Sequence, residues 1–218
     1  EALSEKGIRI YTPESTVLDE EVKRHADMLI CHTGENIIFA DPMQNVTLLE
    51  NEGFTVLKTE ALLRDYPFDT RLNTAVGKNY FICNPKTVDK ALSEHLINKG
   101  LTPLYTKQGY TKCSVCFITE DAVITDDESC YKAIRNHFSD ALLISKGDIF
   151  LSEKHCGFFG GCTGKLGKNT LALTGELKTH RDAREIYAFC NKHEVEIKEL
   201  SSGRLTDIGG ILPLKEMR

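Results

Sequence analysis

One phrase recurs five times along this chain: a helix end, a short apolar strand, then a strand–turn–strand. Internal repeats of this length constrain a fold more than any local motif, because each unit must bury its apolar face against the next. The helix ends read Glu1-Ala-Leu-Ser-Glu-Lys-Gly7, Leu49-Glu-Asn-Glu-Gly53, His95-Leu-Ile-Asn-Lys-Gly100, Arg135-Asn-His-Phe-Ser139 and Phe189-Cys-Asn-Lys-His193. From Gly7 the steps to Gly53, Gly100, Asp140 and Glu194 are 46, 47, 40 and 54 residues. Gly at the first three ends predicts left-handed helix C-caps.

Hairpin turns supply the second marker. Gly34-Glu-Asn36, Gly77-Lys-Asn79, Thr119-Glu-Asp121 and Gly167-Lys-Asn169 each sit between two strand-like runs, and Gly, Asn and Asp tolerate the backbone of tight turns. Strands follow at Ile37–Ala40, Tyr80–Cys83, Ala122–Thr125 and Thr170–Leu173. Helical spacing then puts Val88, Ala91, Leu92, His95 and Leu96 on one face, and Ala183, Ile186, Tyr187 and Cys190 on another. A shorter helix over 128–138 turns Cys130, Ala133, Ile134 and His137 inward, and the first unit has room only for a brief one before Gly53. Each unit is therefore strand–strand–helix–strand. The first strand pair of a fifth unit, Leu205 to Leu214, lies at one end of the chain, and a helix end with one strand at the other. These observations predict an α+β fold: a single domain over residues 1–218, built as a five-bladed α/β propeller around a central channel. The N- and C-terminal halves of one repeat close it and remove exposed sheet edges.

The chain has 218 residues and 41% apolar content, enough for a sizeable core. No apolar run is long enough to cross a membrane. A net charge of −5 without a basic cluster argues against nucleic acid as the main partner. The chain opens in mid-helix without Met, so preceding residues are expected, and no signal peptide is visible. Eight cysteines without a secretion signal point to a reducing cytoplasm. Cys83, Cys130 and Cys190 fall on core faces, where a thiol acts as a small hydrophobe. Cys113-Ser-Val-Cys116 with His155, Cys156 and Cys162 is an incomplete zinc pattern, so neither metal nor cofactor is expected. Thr163-Gly-Lys-Leu-Gly-Lys168 lacks the Walker arrangement and spans a hairpin.

The symmetry itself locates a site. Seven residues before the turns stand Asp27, Thr70, Gly160 and, with Leu214-Lys215-Glu216 as the fifth turn, Asp207, and six before Thr119 stands Cys113. One step further back stand Ala26, Asp69, Lys112, Phe159 and Thr206. In a ring these positions form a circle at one end of the channel, beside Arg71, Asn73 and Ser114. Clustered carboxylates repel one another unless a cation intervenes, and a guanidinium would bridge them bidentately. Taken singly, each Asp is also an ordinary turn or cap residue.

The architecture resembles the pentein fold, shared by guanidine-modifying enzymes and a ribosome-binding translation initiation factor. Gly109-Tyr-Thr-Lys-Cys-Ser114, Phe158-Phe-Gly-Gly161 and Leu205-Thr-Asp-Ile-Gly-Gly210 are similar to a group of uncharacterised bacterial proteins assigned to it. The resemblance implies a Cys nucleophile in the last unit, a His from the fourth and acidic partners. Ile211, Leu212 and Pro213 occupy the expected place of that Cys, so the usual mechanism does not transfer. Three readings follow. The first is an enzyme with relocated chemistry, with Cys113 or Cys162 as nucleophile, Lys112 lowering a thiol pKa and His155 as base. The second is a binder that holds a small polar or cationic molecule through Asp27, Asp69, Arg71, Asn73, Lys112, Ser114 and Asp207. The third is a macromolecular scaffold. Self-association is compatible with all three.

Overall fold

The structure, a computed structural model, describes residues 2–215; Glu1 and Glu216, which belong to the first predicted helix end and the fifth predicted turn, lie outside them. Four three-stranded sheets share one topology. The first holds β1 (Ile30–His32), β2 (Ile37–Ala40) and β3 (Thr55–Lys58); the second β4 (Ala75–Val76), β5 (Tyr80–Cys83) and β6 (Thr102–Tyr105). The third holds β7 (Val115–Phe117), β8 (Ala122–Thr125) and β9 (Asp140–Leu143); the fourth β10 (Thr163–Gly167), β11 (Thr170–Leu173) and β12 (Glu196–Glu199). In each the middle strand pairs antiparallel with the first and parallel with the third.

A helix joins the middle and third strand of three sheets: α2 (Thr47–Asn51), α3 (Lys90–Asn98) and α5 (Glu128–Ile134), with α6 (Ala183–Lys192) serving the fourth. Short helices lead into the first strands of two units, α1 (Ala26–Leu29) and α4 (Thr111–Ser114), and a 3-10 turn over Gly160–Cys162 does so in the fourth. Asp89 and Asp127 cap α3 and α5 by accepting backbone N–H groups of the first turn. Gly7, Gly53 and Gly100 adopt the left-handed caps predicted for them.

The helix faces differ in detail from the periodicity reading. Leu92, Leu96, Cys130, Ile134, Ile186 and Cys190 are buried as expected, but Ala91, His137 and Tyr187 face solvent. The helices are short and touch their sheets along a narrow stripe, so residues one step off that stripe emerge. α5 also stops at Ile134, which leaves His137 beyond its end.

The core lies between units. Phe39 of β2 packs with Phe81 of β5 and Leu92 of α3, and Cys116 of β7 with Leu171 of β11 and Phe189 of α6. A repeated polar contact reinforces this. The residue just after each middle strand reaches the segment that leads into the next unit. Asp41 accepts from Leu62 N at 3.1 Å, Asn84 donates to Lys107 O at 2.9 Å, and Asp126 accepts from Phe159 N at 2.8 Å. Thr174 donates to the Thr206 carbonyl. Beyond the fourth sheet, Ile211 bridges Gly164 in parallel, and Leu212, Leu214 and Tyr11 pack on the cluster of Ile30, Ile38 and Ala40. No described helix is long and apolar enough to cross a membrane.

Candidate functional site

The segments that precede the first strands converge at one end of the fold. Asn73 organises them. Its amide nitrogen donates to the Asp27 carbonyl and to Cys113 Sγ, both at 3.1 Å. Its oxygen accepts from Lys112 N at 2.8 Å and Cys113 N at 3.2 Å. One side chain thus ties the segment before β4 to α1 and α4. The Cys113 thiol donates to Asp27 Oδ2 at 3.1 Å.

Asp207 enters from the C-terminal run. Its carboxylate accepts from Phe158 N at 2.9 Å and Gly209 N at 3.0 Å, with His25 Nδ1 at 3.6 Å. The 3-10 turn must be glycine for this to fit. A Cβ on Gly160 would lie 2.5 Å from the Lys112 carbonyl, and one on Gly161 would run into the Asp207 carboxylate.

Asp69 stands beside this group and accepts the Tyr110 hydroxyl at 2.6 Å. Tyr110 stacks on Phe158 at 6.0 Å and approaches Tyr66 at the same distance. Asp27, Asp69 and Asp207 are 1, 6 and 4% exposed. Asp27 Oδ1 and Asp69 Oδ1 are buried without a hydrogen-bond partner among the described residues.

Burial sets the protonation of the groups. It pushes the Cys113 thiol well above its ordinary value, and the charges of Asp27 and Asp207 push it further. Burial also raises Asp69 against the pull of the Tyr110 hydrogen bond, and raises Asp207 together with the charge of Asp27. Burial and Asp69 raise Tyr110. The resting site therefore holds a protonated thiol beside crowded carboxyl groups.

Of the other sequence candidates, Cys162, His155 and Arg71 lie apart from it, whereas Lys112 and Ser114 flank Cys113 in α4. Cys162 is wholly buried in the core between the third and fourth units, and its thiol donates to the Phe159 carbonyl at 3.2 Å. Burial raises its pKa well above the ordinary value, an environment that suits packing. His155 is exposed and pairs with Glu21 at 2.7 Å. It makes no hydrogen bond to Cys113, whose thiol proton goes to Asp27 instead. Arg71 turns away to pair with Glu60, 5.4 Å from the Phe68 ring centroid. Ser114 is fully buried, its carbonyl tied to Thr125 Oγ1 at 2.8 Å. Lys112 lines a cavity between the units; its charge acts on Cys31 and Cys116, and is not among the main influences on Cys113.

His25, Tyr110 and Phe158 join the site without having been singled out by chemistry. Tyr110 and Phe158 do fall inside the Gly109–Ser114 and Phe158–Gly161 motifs, and His25 stands two residues before Asp27. The described residues contain no group of three His, Cys, Asp or Glu placed to hold a metal.

Residues 1–212 match a protein family of unknown function, DUF6873. The chain belongs to that family. No curated protein matches it. Among solved structures, the chain is similar to the inosamine-phosphate amidinotransferase StrB1 from Streptomyces griseus, with a TM-score of 0.57 at 12% identity over 95% of this chain and 74% of that one. It is also similar to agmatine deiminase from C. jejuni, with a TM-score of 0.50 at 10% identity over 76% of this chain. The alignment spans 60% of the deiminase's length. At these identities the likeness shows the fold alone: a mixed α/β pentein fold of several small sheets.

Proposed function

We propose that this member of the family binds a small guanidinium- or amine-bearing cation between Asp27, Asp69 and Asp207. The observation that carries the reading is the pair of buried carboxylate oxygens, Asp27 Oδ1 and Asp69 Oδ1, left without partners among the described residues. Buried carboxylates are costly unless a cation or proton meets them. A planar guanidinium supplies several donors in one plane and suits two unfilled acceptors. Tyr110 and Phe158 would flank the apolar part of such a molecule. The fold neighbours lend support, since by their names one deiminates agmatine and the other transfers an amidino group.

The same proposal includes the fifth unit. In this reading the run from Thr206 to Leu214 and the segment around Tyr11 complete a ring of five within one domain. Three observations support it: the contact from Thr174 to Thr206, the bridge from Ile211 to Gly164, and the packing of Leu212 and Leu214 on the first unit.

Isothermal titration with agmatine, arginine and guanidinium chloride, against sodium chloride at equal ionic strength, tests the binding. The expected result is saturable binding of at least one guanidino compound, weakened tenfold or more in Asp27→Asn and in Asp69→Asn. If no compound binds above the salt control, or both variants bind like the parent, the reading is wrong.

One contact favours a catalytic version. Cys113 and Asp27 form a thiol–carboxylate pair at 3.1 Å, so Asp27 is placed to accept the thiol proton. A bound cation would offset the two negative charges that hold the thiol protonated. Ammonia release from a bound guanidino compound, lost in Cys113→Ser, would make this an enzyme; binding without release would leave it a binder.

A further inference from the structure

The first strands of the four sheets and the run Ile211–Pro213 line a partly open cavity of about 290 Å³. It extends from Asp27 and Lys112, at the start of those strands, to Gly34 and Gly77 at their hairpin ends. Its lining includes neither Asp69 nor Asp207. Lys112 and Lys165 both contribute to it, and Asp27 is the one carboxylate among the lining residues. Asp27 already receives the Cys113 thiol on Oδ2.

We propose that this cavity is a site for one small oxyanion, a carboxylate or a phosphoryl group, held between the Lys112 and Lys165 ammonium groups and the Thr74 hydroxyl. The site goes beyond the cation reading and does not rest on it.

Three observations carry it. Thr74 is 3% exposed and lines the cavity, and its hydroxyl oxygen is buried without a partner among the described residues. A buried hydroxyl without a partner is rare enough to call for a ligand or water. Second, both lysines line the same cavity. The Lys112 charge is felt by Cys31 and Cys116, two thiols of the lining, and Cys116 also feels Lys165. Two ammonium groups against one carboxylate leave a positive excess in the lining. Burial lowers the pKa of Lys165, whose ammonium group donates to the Ile118 carbonyl at 2.9 Å. An anion would offset that loss of hydration. Third, the β10–β11 register shifts between Lys165 and Gly167. Such bulges re-aim side chains next to functional sites. The volume has room for roughly ten water-sized groups, enough for a phosphate or a short carboxylic acid with part of its hydration.

Titration calorimetry of the intact protein with sodium phosphate and sodium acetate, against sodium chloride at equal ionic strength, tests the site. One-to-one saturation by either oxyanion is expected. Saturation by phosphate assigns a phosphoryl ligand, and saturation by acetate alone a carboxylate. Lys165→Met should weaken binding tenfold or more, Lys165→Arg should keep it within about threefold, and Thr74→Val should weaken it severalfold. Lys165→Met loses a single hydrogen bond and keeps the apolar stem, so it folds and decides the matter; far-UV circular dichroism checks the fold. Asp27→Asn should tighten the oxyanion by removing the lining carboxylate, the opposite of its effect on a cation. The two readings therefore fail separately. Binding no stronger than chloride, or Lys165→Met and Lys112→Met both binding like the parent, would overturn the proposal.

Discussion

Glu194 stands where Gly7, Gly53 and Gly100 stand in other units, just past a helix, and holds φ at +56°. A residue with Cβ pays ~1–2 kcal/mol for that backbone, against an entropy cost of up to ~1 kcal/mol for Gly. The first term wins. Glu194→Gly should therefore stabilise the protein by up to ~1 kcal/mol, raising Tm by ~2–4 °C for a chain of this size; an unchanged or lower Tm in a thermal melt would contradict it. Thiol chemistry gives a second prediction at this scale. Cys156 is exposed and the other seven cysteines are buried, with Cys113 and Cys162 pushed up by burial. Iodoacetamide at pH 8 should label Cys156 alone in the native state and all eight thiols after denaturation, read by peptide mass spectrometry. Rapid native labelling of Cys113 would show a thiolate and refute the resting state described for it. Counting along the sequence singled out Asp27, Cys113, Gly160 and Asp207 together, because they stand at near-equal distances before similar turns. It could not name Asn73 as the centre. The two-residue β4 lets its leading segment fold differently, so Asn73 occupies the place where the count put Thr70.

At the scale of the element, the contact after each middle strand shows how one position serves four units with different chemistry. Asp41, Asn84, Asp126 and Thr174 all reach the next unit, and burial lifts the Asp126 carboxyl from 3.8 to about 7. Its Oδ1 has no partner among the described residues. The folded protein thus binds this proton more tightly than the unfolded chain. Its favourable contribution is present in full below pH ~4 and is lost as pH rises toward 7. Asp126→Asn keeps an acceptor for Phe159 N and copies what Asn84 already does. It should match the parent within ~1 kcal/mol at pH 5 and exceed it by ~1–3 kcal/mol at pH 8, since each tenfold difference in proton affinity between the folded and unfolded chain is worth ~1.4 kcal/mol. Urea unfolding at the two pH values checks this, and equal differences at both would rule out the titration. The hairpins and strands were legible because their turn residues and apolar runs are local signals. These contacts were not, since a single polar residue after a strand looks like any strand end.

The whole molecule raises the question of closure. Each unit packs its sheet on the next, so a chain of units leaves two raw faces unless the last meets the first. The sequence showed the repeat through Gly caps and turns, but the run it assigns to a fifth unit forms isolated bridges and no strand among the described residues. Ile211 holds the fourth unit through its N–H to the Thr163 carbonyl at 2.9 Å, while the next residue, Leu212, packs on the cluster of the first. Adjacent residues thus touch units at opposite ends of the described chain. Leu212 is half-buried, so Leu212→Ala should cost about 1–2 kcal/mol, below the range for fully buried leucines. The pattern of the loss matters more than its size. In a closed ring, native-state hydrogen exchange should speed up in β1 and β2 and also in β10, because both ends rely on the same short run. Amides of β5 and β8, two units away, should keep their protection. If the ring is open, exchange will rise on one side only, and the C-terminal run is then an appendage of the fourth unit.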